Sequence, residues 1–175
     1  MRVWPVFLSS TMHHDVGDLF SVGDRMAWDV ELIDGRAAGW PWYVLVDVMA
    51  RIHARPAWAL SGALAEANGL RACWRGPERP GTELALSAGL VADLWNPLFH
   101  ANVAGVVRRI RTVAYAHAQR DDGVWMPFGP RVLEDVEATA RWLKTAHTIE
   151  DMSNVHEDGL LIDLAITANE LKPFD

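Results

Sequence analysis

The strongest constraint in this chain is a period of two. Met26, Trp28, Val30 and Leu32 alternate with Arg25, Asp29 and Glu31. Successive side chains of a strand point to opposite faces, so this pattern describes a strand with one face buried and one wet. The alternation returns in 43–54, where Val44, Val46, Val48 and Ile52 oppose Asp47, Arg51 and His53. It returns again in 82–95 through Leu84, Leu86, Leu90 and Leu94, with Gly89 marking a bulge or bend. A long strand over 103–119 turns at Asp122-Gly123 into 124–128 as a hairpin, and 159–168 sets Leu160, Ile162, Leu164 and Ile166 against Asp163 and Thr167. Turn chemistry separates these runs. In Val22-Gly23-Asp24 the glycine is free to take positive φ and the aspartate can bond forward to the backbone, and Asp34-Gly35, Pro56 and Asn96-Pro97 each stop a strand.

Two segments break the period. In 57–74, Leu60, Ala63, Leu64 and Ala67 fit a helix behind Pro56, while Asn68-Gly69 is a hairpin signal. The reading adopted is a short helix closed by Gly69, with the hairpin as the alternative. After Gly129-Pro130, Leu133, Val136, Ala140 and Leu143 follow helical spacing, and Glu134, Asp135 and Glu137 place acid at the positive end of a helix dipole. The expected fold is mainly β (α+β): an antiparallel sheet, curled or closed into a small β-barrel, with one or two helices packed at an end. A single domain over 1–175 is expected, with the Pro- and Gly-rich loop 75–81 as its one internal boundary.

A chain of 175 residues buries roughly 70% of its unfolded surface and needs no staple. Cys73 is the only cysteine, which excludes an internal disulfide and a Cys-rich zinc site and points to a reducing compartment, hence to the cytoplasm. No apolar run approaches the roughly 18 residues of a membrane span. The apolar stretch 3–8 is shorter than a signal-peptide core. A formal charge of −7 works against a polyanionic partner.

The stretch Phe20-Ser-Val-Gly-Asp-Arg-Met-Ala-Trp28 resembles the F-x-V-G-D-x-V-x-W signature of a family of uncharacterised actinobacterial proteins, and 103–113 is similar to that family's later G-x-V-x-x-I-x-x-V strand. The resemblance implies a bacterial protein of β architecture and brings no activity with it. Paired cysteines precede the motif in that family. His13 and His14 stand at the corresponding position here, so thiol chemistry does not carry over.

Three groups of residues could carry chemistry. His13, His14 and Asp15 are the densest set of metal-ligand types. Adjacent histidines on a strand point to opposite faces, so a site would need a loop converging with His53, His100 or His156; the simpler reading is a solvated loop. Arg109, Arg111, Tyr115 and His117 share one face of a regular strand and could hold a phosphate or carboxylate, or could be a solvent face whose arginines pair with acids. Trp40-Pro41-Trp42 could wall a flat ligand, or plug a barrel end. Nine tryptophans against two tyrosines supply aromatic surface for cores and pockets alike. No nucleophile elbow, phosphate loop or dinucleotide fingerprint is present.

These observations lead first to a non-catalytic β-barrel-like binding module for a small molecule or a protein partner. The alternative is a small enzyme using His and acid residues at a barrel mouth, with or without a metal. Nucleic-acid binding through Arg108, Arg109 and Arg111 comes last. The residues name no cofactor, and leave oligomeric state and catalysis open.

Overall fold

The computed structural model describes residues 2–10, 13, 19–36, 44–54, 63–74, 76, 79–92, 100–141, 145–146 and 154–172. Ten strands organise them: β1 (Val3–Ser9), β2 (Arg25–Asp34), β3 (Val46–His53), β4 (Ala63–Ala67), β5 (Leu70–Trp74), β6 (Glu83–Ala92), β7 (His100–Gln119), β8 (Trp125–Val136), β9 (Thr145–Ala146) and β10 (Asn154–Lys172). None of these elements is a helix. Eight of the strands close on themselves in the order β7-β2-β5-β4-β3-β6-β1-β10, with β10 returning to β7. The expected small barrel is therefore present, and closure removes the exposed edges that an open curled sheet would leave. Two of its pairings, β1 with β6 and β2 with β5, are parallel rather than antiparallel. β8 and β9 lie outside the ring, on β7 and β10 respectively.

The ring is pinched. β2 also pairs with β6, from Val30↔Ala92 to Asp34↔Ala88, although the two strands stand on opposite sides of the strand order. The interior is accordingly filled by side chains, among them Val6, Leu8, Val30, Leu32, Leu90, Ile110, Leu160, Ile162 and Leu164. Such a barrel holds a packed core, and any ligand must be sought at its ends or outside it.

Local chemistry explains most of the path. In the turn before β2, the Ser21 N–H donates to Asp24 Oδ2 at 2.8 Å and the Asp24 N–H donates to the Ser21 carbonyl at 3.1 Å. The aspartate reaches back over the turn rather than forward. Along β7, Val103 and Val107 face the core, and so does Ile110. That change of parity comes from a register shift against β10, where Arg109↔Asp163 is followed by Val107↔Leu164 and Arg108 is the extra residue. Gly105 lies in close contact with β10: a Cβ there would sit 2.6 Å from the Ala165 carbonyl oxygen.

The structure corrects three sequence expectations. The segment 63–74 is the hairpin β4–β5, with Asn68 and Gly69 at φ +54° and +80°, the two left-handed residues that a tight two-residue turn demands; 57–62 lie outside the described residues. The helix expected from Leu133 to Leu143 is instead the second half of β8 as far as Val136, laddered to β7 from Val113↔Leu133 to Ile110↔Val136. Gly129-Pro130 does not end the element, because the β7–β8 ladder passes it by a register shift between Ala114↔Val132 and Ala116↔Phe128. Gly89 makes no bulge: the β2 ladder runs through it unshifted, and it sits where β6 changes partner from β3 to β1.

Candidate functional site

The arginine row on β7 is a set of matched charges. Arg109 donates from Nε and Nη2 to the two carboxylate oxygens of Asp135 at 2.6 and 2.8 Å, the two-pronged geometry that suits a guanidinium. Arg111 donates from Nη2 to Asp163 Oδ1. The pairs are diagonal. In register, Asp163 on β10 lies opposite Arg109, and Asp135 on β8 lies opposite Arg111. Each aspartate therefore bonds the arginine two residues along, which side chains of this length span easily. Arg109 and Asp135 stand in solvent, whereas Arg111 is only 5% exposed. The hydrogen bonds from Arg109 hold the Asp135 carboxyl below its usual range. Burial pushes the Asp163 carboxyl up, against the opposing pull of Arg111 and Arg109. Beside this quartet Val44, Val113 and Leu161 form a small apolar cluster with Phe7, Leu45 and Leu133.

Among the other sequence candidates, His13 is buried, bonds the Ala140 carbonyl through Nε2 at 2.7 Å and packs edge-on against Phe20. It ties the segment before β2 to the chain that follows β8. His14 and Asp15 lie outside the described residues, as do Trp40 and Trp42 and the side chains of Tyr115 and His117. Among the described residues no three His, Cys, Asp or Glu side chains gather as a metal site, and there is no helix long and apolar enough to cross a membrane.

A site that the sequence did not announce lies at one end of the barrel. A cleft of about 340 Å³ opens between the start of β1 (Arg2, Trp4), the β4–β5 turn (Asn68, Gly69, Leu70) and the late part of β10 (Ile166, Thr167, Ala168, Asn169). Its walls are fixed by an amide that imitates a strand. The Arg71 N–H donates to Asn169 Oδ1 at 2.7 Å, and Asn169 Nδ2 donates back to the Arg71 carbonyl at 2.9 Å and to the Asn102 carbonyl at 3.2 Å. One side chain thus joins β5, β7 and β10. Thr167 Oγ1 donates to the Ala104 carbonyl at 3.2 Å, and the Ile166 N–H to the Arg2 carbonyl at 3.2 Å. Trp4 and Leu70 are nearly fully buried and supply an apolar floor with the half-buried Ile166. Arg2 and Asn68 stand exposed at the rim. The hairpin signal in Asn68-Gly69 was the one visible clue, since it alone foretold a rigid turn.

No protein-family model, curated protein or solved structure matches this chain.

Proposed function

We propose that this chain is a non-catalytic binding module whose ligand is a small molecule held in the barrel-end cleft. The observation that carries the reading is the cleft's construction: a concave site with a buried apolar floor, an exposed polar rim, and walls already tied by Asn169 and Thr167. Binding sites for small molecules are characteristically preformed hollows of about 300–1,000 Å³ in which a few polar groups orient an apolar body. At about 340 Å³ this one suits a ligand at the small end of that range. The filled and pinched interior supports an end site over a lumen of the kind found in wide ligand-carrying barrels.

Ala168 is an exposed lining residue, so Ala168→Trp fills the cleft while sparing the core. A library of fragment-sized compounds screened by thermal shift should yield molecules that raise the melting temperature of the wild type and leave Ala168→Trp unmoved. Compounds that stabilise both proteins equally would place binding elsewhere. A library without any stabilising compound would overturn the small-molecule reading in favour of a protein partner.

A further inference from the structure

We infer that the cleft selects a small organic monocarboxylate, received by Arg2 and packed against Ile166 above the buried Trp4 and Leu70. The inference rests on the cleft's proposed binding role and adds the chemistry of the ligand. Arg2 is the one charged side chain among the described lining residues; its neighbours there are amides, a hydroxyl, small residues and apolar groups. The contrast with β7 is direct. Arg109 and Arg111 each have an aspartate, whereas no ion pair is formed by Arg2 among the described residues.

A single guanidinium in a chain of net charge −7 balances a single negative charge. A carboxylate offers two coplanar acceptors that match its parallel N–H donors. A dianionic phosphate ester would bring a second charge to a cleft with no second cation among its described lining residues. A cation would meet only Arg2's repulsion. Beside Arg2, the Asn68 amide stands on a turn fixed by φ +54° and +80°, and can donate to the second carboxylate oxygen or to a ligand hydroxyl. The floor of Trp4, Leu70 and Ile166 is small, so the body is a single ring or a short chain.

Three isosteric probes separate charge from shape: benzoate, benzamide and benzamidine. Each is titrated into ¹⁵N-labelled protein while the amides of Gly69, Ala168 and Asn169 are followed, in the wild type and in Arg2→Gln. Arg2 is exposed and lies outside the core, so the variant should keep the wild-type amide spectrum elsewhere. Benzoate should bind about tenfold tighter than benzamide in the wild type, benzamidine should be weakest, and Arg2→Gln should erase the difference between the first two. Equal binding of benzoate and benzamide at these amides would overturn the carboxylate preference and leave the cleft's binding role standing. An anion preference that survives in Arg2→Gln would also overturn it. If no probe moved the cleft amides, both readings would fall together.

Discussion

Arg111 and Asp163 give the sharpest handle on what holds the outer wall of the barrel. Arg111 is 5% exposed and bonded to Asp163, so Arg111→Met keeps most of the side chain's length and removes the charge. Breaking a buried ion pair from one side costs about 3–5 kcal/mol, chiefly because the partner is left as an uncompensated charge. Asp163 has an escape that an arginine lacks. Its side chain keeps 24% of its exposure, so once Arg111 is gone water still screens the carboxylate at pH 8, and the burial that already raises its carboxyl favours protonation as the pH falls. The expected cost of Arg111→Met at pH 8 is therefore near the lower end, about 3 kcal/mol, whereas Asp163→Leu takes this carboxylate from a buried guanidinium that cannot be neutralised and should cost about 5 kcal/mol. A carboxyl whose folded-state pKa lies above its unfolded value binds protons more tightly when folded. The Arg111→Met penalty should then be full above the raised folded value and fade as the pH falls towards the ordinary value of about 3.9. The double variant Arg111→Met/Asp163→Leu removes both charges and should recover most of the loss. Urea unfolding followed by far-UV circular dichroism at pH 8 and pH 5 gives all of these quantities. An Arg111→Met cost within about 0.5 kcal/mol of zero, or a double variant that loses the sum of the singles, would refute the reasoning.

Three further outcomes follow from the same geometry. Gly69→Ala must hold an L side chain at φ +80°, which costs about 1 kcal/mol and is read from the shift in urea midpoint. Gly105→Ala sets a Cβ 2.6 Å from a backbone carbonyl oxygen and 2.8 Å from the Leu164 side chain; with no flexible chain end to absorb the strain, about 3 kcal/mol should be lost in the same assay, at the upper end of overpacking costs. Asp135 is held below its usual range by Arg109, so its contribution is present at neutral pH and lost as the pH falls through that lowered value. The stabilities of wild type and Asp135→Asn should accordingly differ at pH 7 and converge as the pH falls below that lowered value, measured by urea unfolding across the acid range.

Part of the barrel was legible because strands such as β2 and β3 bury mainly one face. In β2, Trp28, Val30 and Leu32 point into the core while Arg25 and Ala27 stand in solvent, and the apolar period of two survives although Glu31 is buried as well. The misread segments are those with apolar groups on both faces. Leu133 packs with Val113 and Leu161 in the outer cluster, whereas Val136 packs against the main core. Three residues apart on a strand means opposite faces, and the same spacing on paper imitates one face of a helix. Leu64 does likewise: it joins Cys73 and Ala101 in a separate cluster while Ala65 and Ala67 face the core.

The sites were less legible for a different reason. Arg109 and Arg111 stood out as residues, but their partners depend on registers that a single bulge at Arg108 shifts. The cleft draws on residues 2 and 4, 68–70 and 166–169, three stretches that no linear pattern connects. Only closure of the sheet brings β1, the β4–β5 turn and β10 together.

The most direct test of a barrel that binds at its end is a crystallographic fragment screen of the full chain. The account predicts fragment density in the cleft between Arg2, Asn68 and Ile166, with anionic fragments against the guanidinium. Fragments gathering reproducibly at another surface, with the cleft empty throughout, would contradict it.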